Sequence, residues 1–124
     1  MLTDFHLARI AEDEKVARAA TQGKWKLWGM TVMADQDGTG NVDTAVGVAN
    51  TYGHDERGAP RTWNATHIAR HDPARVLAEC EAKRLLVARV TDVSWAGYAV
   101  RDFVLESLAL PYADHPDFRE EWRP

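Results

Sequence analysis

Two histidines four residues apart, His67 and His71, are the residues in this chain best spaced for chemistry. On a helix, positions i and i+4 point the same way, so both imidazoles would face one metal ion, zinc or another transition metal. A third ligand would come from Asp72, Cys80, Asp114 or His115. Position 68 is isoleucine, so the glutamate base of a metalloprotease helix is missing between the histidines. The same residues also read as structure. His71 falls where a helix ends and a partly charged imidazole is favourable, and His67 can cover apolar surface with its edge wet. Asp114-His115 could be half of an acid–base pair, yet Asp114-His115-Pro116 equally reads as the start of a helix.

The segment Asp35-x-Asp37-Gly38-x-Gly40-Asn41-x-Asp43 resembles the first nine positions of an EF-hand loop. The position for the bidentate glutamate holds Val46, and the flanks read as strands, so a turn between strands explains the same residue types. No Walker A loop, dinucleotide fingerprint or G-x-S-x-G elbow occurs, which favours a non-catalytic protein.

Two further groups point to partners. Five tryptophans in 124 residues, Trp25, Trp28, Trp63, Trp95 and Trp122, exceed what a small core readily buries. Indoles left outside would favour an interface with another protein or with a second copy. Arg70, Arg75, Lys83, Arg84 and Arg89 could give one helix a basic, nucleic-acid-binding face. The net charge of −4 opposes that use, because duplex affinity comes largely from phosphate neutralisation. Nucleic acid is therefore not the expected partner.

These residues need elements to hold them. With 45% hydrophobic residues the chain is expected to fold, and 124 residues make one domain, 1–124, the default. No apolar run approaches the ~18 residues of a membrane span, and the N-terminus lacks the pattern of a signal peptide, so no membrane role is expected. The single cysteine, Cys80, cannot form an intrachain disulfide and suits a reducing cytoplasm. Periodicity predicts a helix over 4–21 with Thr3 as its cap and Leu7, Ile10, Ala11 and Ala17 on the buried side. A β-hairpin follows over 24–52, with one strand from 24 to 34, Trp28, Met30 and Val32 on one face, and the Gly-rich turn after it. Next come a polar loop over 53–62 and a helix over 64–71. Asp72-Pro73 breaks that helix and starts the next, 73–89, with Asp72 as cap and Pro73 at the first position. That helix offers Val76, Leu77, Cys80 and Val87 to the core. Thr91 or Ser94 would cap a further helix over 98–110, with Val100, Phe103, Val104 and Leu108 inward. Pro116 would open a short helix over 116–122. The class is α+β: an N-terminal helix, a small antiparallel hairpin or meander, and a helical C-terminal half packed on the sheet.

HIARHDPARVLAECEAKR (67–84), LALPYADHPDFREEWRP (108–124) and LARIAEDEKVARAATQGKW (7–25) resemble a family of small uncharacterised actinobacterial and actinophage proteins, classed as a domain of unknown function. The resemblance spans nearly the whole chain and carries no catalytic residues with it. It implies an accessory protein of phage, prophage or chromosome acting in the bacterial cytoplasm. The sequence reading is thus a cytoplasmic protein that works by contact with a host or phage protein, or with itself. The indoles and the apolar sides of the helices at 73–89 and 98–110 would form its surface. Two alternatives stand beside it: a metal-binding protein or hydrolase built on His67 and His71 with His115 or Asp114, and a weak nucleic-acid binder.

Overall fold

A computed structural model of the chain describes residues 1–53, 62–92 and 97–124. The elements run α1 (Leu2–Ala19), β1 (Lys24–Trp28), β2 (Thr31–Asp35), β3 (Val46–Asn50), α2 (Thr62–Arg70), α3 (Pro73–Thr91) and α4 (Tyr98–Ala109). Single 3-10 turns lie at Val42–Thr44, Leu110–Tyr112 and Glu120–Trp122. The α+β class holds. Most of the expected loop 53–62, together with Ser94 and Trp95, falls outside the described residues. The chain divides into two compact units, Lys15–Ala78 and the pair of segments Met1–Glu14 with Glu79–Pro124.

The unit Lys15–Ala78 holds the sheet, in the order β1-β2-β3 and antiparallel throughout. The expected single strand over 24–34 is two strands, because Trp28 pairs with Thr31 around a two-residue turn. Gly29 makes that turn with φ of +62°, the left-handed conformation that the first position of a type II′ hairpin requires. The turn also changes which residues share a face. Val32 lies opposite Leu27 and Ala34 opposite Trp25, so Val32 sides with Leu27 instead of Trp28. Val32 and Ala34 on the central strand are buried, α2 packs on β1 and β2, and Ala65 is its buried residue. A one-residue bulge between β2 and β3 follows Val32. Val42–Thr44, inside the expected hairpin, is a 3-10 turn capped by the Asn41 side chain.

Two helix ends in this unit show how the backbone is punctuated. α1 closes before residue 21 because the Gln22 amide donates to the carbonyls of Ala17, Arg18 and Ala20, the groups a helix end leaves unpaired. Gly23 then turns the chain with φ of +105°. A Cβ there would stand 2.8 Å from the carbonyl oxygen of Asp35. At α3 the expectation holds in detail: Oδ1 of Asp72 accepts the Arg75 N–H at 3.0 Å, and Pro73 fills the first helical position. Asp72 is almost wholly buried. Its other oxygen accepts the Trp25 N–H at 3.4 Å and faces the Lys24 ammonium at 3.2 Å. Burial pushes this carboxyl up, but the Arg75 N–H, Lys24 and the Trp25 N–H together hold it below the usual carboxylate range.

In the other unit, α3 runs on to Thr91, whose hydroxyl bonds back to the carbonyls of Val87 and Ala88 and does not cap a following helix. Gly97 precedes α4 with no side-chain cap. The expected inward face of α4 is displaced. Leu105 and Ala109 are buried, Val104 and Leu108 are half-buried, and Val100 and Phe103 point outward. Leu105 packs with Val87 and Val90 of α3. Past Pro116 no α-helix forms, because the Phe118 N–H closes a tight turn onto the His115 carbonyl and Arg119 is extended. Only Glu120–Trp122 recoils, which places Trp122 against Phe5 and Ala109.

Gly23→Ala should destabilise the chain by about 1–3 kcal/mol, since the new methyl meets backbone in a left-handed conformation. Gly47→Ala, with open space around it and an ordinary φ, should change stability by less than about 0.5 kcal/mol. Urea denaturation of both variants checks the contrast. Asp72→Ala should cost about 1–2 kcal/mol by removing a cap.

Candidate functional site

The densest polar cluster gathers on one side of α1, in the segments Met1–Glu14 and Glu79–Pro124. Residues spaced by three and four bring Phe5, His6, Arg9 and Ile10 to the buried side, whereas Leu7 and Ala11, expected inside, are exposed. Arg9 is 6% exposed. Its Nη1 donates to the His115 imidazole at 2.6 Å and approaches Asp117 at 3.5 Å, and Nη2 donates to Glu12 at 2.8 Å. The guanidinium carbon lies 5.2 Å from the centre of the Phe5 ring. Nδ1 of His115 also accepts the Asp117 N–H at 3.1 Å, so this nitrogen carries a lone pair. Beside the cluster opens a cleft of about 500 Å³, lined by Phe5, Arg9, Asp117, Phe118, Arg119 and Trp122 among others.

The next turn of α1 repeats the pattern. Tyr112 donates to Asp13 at 2.6 Å, and Lys83 donates to the Tyr112 oxygen at 3.1 Å. Burial and the Asp13 carboxylate push the Tyr112 phenol far up, away from the range in which a tyrosinate could act as a base. Arg84 makes two bonds to Glu14, at 3.0 and 2.8 Å. Burial, then the Asp13 charge, push the Cys80 thiol up, which opposes thiolate chemistry. His6 is buried and its Nε2–H donates to the Leu105 carbonyl at 2.8 Å. Sequence reasoning missed Arg9, His6, Asp13 and Tyr112. For His6, Arg9 and Asp13 the i, i+3, i+4 spacing along α1 is the available signal, whereas Tyr112, outside that helix, offers none.

The sequence-predicted residues are distributed otherwise. His67 and His71 meet as a ring pair with centroids 4.4 Å apart in the sheet unit, while Asp114, exposed, and His115, held by Arg9, belong to the other unit. Among the described residues no three or more His, Cys, Asp or Glu side chains are grouped to hold a metal ion. In the acidic loop the cation beside Asp35 is the protein's own: Lys26 Nζ lies 2.8 Å from Oδ2, and the Gly40 N–H also binds that oxygen. The hydroxyls of Thr44 and Thr39 hold the Asp37 carboxyl well below the usual range. Of the basic candidates, Arg70 and Arg75 sit in the sheet unit, and Lys83, Arg84 and Arg89 in the other.

Of the indoles, Trp122 is buried, Trp25 and Trp28 are half-buried, and Trp63 is 81% exposed. Trp25 is further anchored by its indole N–H, which donates to the Thr21 carbonyl at 2.8 Å. The larger apolar surface is on α4. At helical spacing Ala99, Val100, Phe103 and Leu110 share its outward side, with Val100 53%, Phe103 63% and Leu110 41% exposed. Two polar residues fall between Phe103 and Leu110: Ser107, whose hydroxyl is turned back to the Phe103 carbonyl at 2.7 Å, and Glu106, which puts one acidic side chain along the edge of the stripe.

The chain belongs to DUF6221, a family of unknown function, and the match runs over residues 1–124. No curated protein and no solved structure matches it. No helix among the described residues is long and apolar enough to cross a membrane.

His6 gives the cluster a pH signature. Burial pushes its imidazole down from 6.5, against the raising effect of the Leu105 carbonyl and with a smaller push from Lys83. The unfolded chain therefore takes up this proton first as pH falls. The contribution of neutral His6 is whole above about 6.5 and declines as pH drops below it. His6→Gln keeps an amide donor but cannot titrate. The stability of the parent relative to this variant should fall between neutral pH and pH 5, read by urea denaturation. Identical slopes for the two proteins would contradict the assignment.

Proposed function

We propose that this member of DUF6221 is a non-catalytic accessory protein of the actinobacterial or actinophage cytoplasm that works by protein–protein contact. Its docking face is the outward stripe of α4. The observation that carries the reading is the exposed apolar run of Ala99, Val100, Phe103 and Leu110. Single exposed apolar residues are ordinary, but a contiguous stripe marks a surface that is covered in use. The upward-shifted Cys80 thiol and Tyr112 phenol support a non-catalytic role, since neither is prepared as a nucleophile or base.

The partner that best fits the stripe is a second copy of this chain. A two-fold contact lays the stripe on its own copy, so that apolar side chains meet apolar side chains, with Phe103 near the middle and Glu106 at the edge. The flanking Arg101 and Asp102 pair with each other at 2.7 Å. Helical length suits the contact as well, since 12 residues present about 18 Å of continuous surface.

Sedimentation velocity over a wide concentration range should show a reversible dimer. Phe103→Glu should weaken it at least tenfold, about 1.4 kcal/mol or more, with unchanged far-UV circular dichroism. A protein that stays monomeric at several hundred micromolar, or a dimer indifferent to Phe103→Glu, would overturn the assignment.

A further inference from the structure

We propose that His67 and His71 form a two-histidine surface site for a divalent transition-metal ion, taken as Cu²⁺ in preference to Zn²⁺, with water in the remaining positions. His67 lies in the last turn of α2, and the His71 N–H bonds the Ile68 carbonyl at 3.0 Å in the tight turn that closes the helix. The two rings stand side by side, centroids 4.4 Å apart and tilted by 42°. Both residues are exposed, so a small rotation of each ring brings one nitrogen from each round a common ion. Metal–imidazole bonds of about 2.0–2.1 Å place the two nitrogens about 3–3.4 Å apart.

The tautomer of His71 is already chosen. Its Nδ1 lies 2.7 Å from the His67 carbonyl, and a carbonyl can only accept, so Nδ1 carries the proton and Nε2 presents its lone pair outward. A backbone carbonyl behind the non-ligating nitrogen is the arrangement that fixes and enriches a metal-binding imidazole. The neighbouring carboxylate does not complete the set, because Asp72 is turned inward to Arg75, Trp25 and Lys24. Two neutral nitrogens with open positions favour borderline ions, with copper strongest in the divalent series, and offer nothing to oxygen-seeking Mg²⁺.

Isothermal titration of the full chain with Cu²⁺, Ni²⁺, Zn²⁺ and Mg²⁺ tests the site. The expected result is one equivalent of Cu²⁺ bound more tightly than Ni²⁺ or Zn²⁺, with no Mg²⁺ heat. His67→Asn and His71→Asn should each weaken Cu²⁺ about tenfold or more. Substoichiometric Cu²⁺ should broaden the His67 and His71 ring protons in NMR before those of His6 and His115. Copper binding unaffected by both substitutions, or broadening that begins elsewhere, would overturn the proposal, as would the absence of any one-to-one Cu²⁺ binding.

Discussion

A guanidinium keeps its charge at every accessible pH, so burying one costs several kcal/mol unless donors meet acceptors. Arg9 is buried on α1, and two of its partners, His115 and Asp117, lie 106 and 108 residues further along the chain. α1 can therefore bury this side only when the C-terminal segment is in place. The same requirement recurs along the helix, with Asp13 needing Tyr112 and Glu14 taking Arg84. The aromatic packing follows from it, because the turn at His115–Phe118 that serves Arg9 also delivers Phe118 and Trp122 to Phe5. Removing Arg9 would leave its acceptors unpaired, a loss that is strongly destabilising even where an intact buried ionic set adds little net stability.

The sheet unit contains a smaller case of the same constraint. Asp72 is buried as a carboxylate, and its acceptors are filled by the start of its own helix and by the first residues of β1. One side chain thus both starts α3 and ties the strand to it. In the acidic loop Lys26 and the Gly40 N–H converge on Oδ2 of Asp35, while its buried Oδ1 meets no hydrogen-bond partner among the described residues.

Local chemistry made part of this legible. A proline after an aspartate can be read as a helix start because the steric and capping arguments need no distant residue, and Asp72-Pro73 behaves accordingly. The Gly29 turn was legible in principle. It was hidden by the apolar run around it, which reads equally well as one long strand, and the two-residue turn then changes the face partners of every residue before it. The buried side of α1 was illegible for a different reason. Hydrophobic periodicity assumes that charge marks the wet side, and here His6 and Arg9 are buried while Leu7 is not. Only knowledge of where residues 112–117 lie reverses that reading. The two histidines were placed on one face correctly; what spacing could not supply was that His115 would be engaged by Arg9.

The inversion on α1 bears on the stripe of α4. When a helix directs ionic groups inward, apolar residues elsewhere have less interior to enter, and α4 buries Leu105 and Ala109 while Val100 and Phe103 stay outside. Counting indoles is then a poor guide to an interface. Trp122 is consumed by the aromatic cluster, Trp63 is exposed as a single ring, and a single exposed ring is unremarkable in energetic terms. Continuity decides instead. A stripe along one helix side, with the Ser107 hydroxyl already bonded to its own backbone, gives an approaching apolar surface little to desolvate apart from Glu106 at its edge. Burial of such a stripe gains about 25 cal/mol per Å² of apolar area, opposed by the entropy of association and the desolvation of that edge.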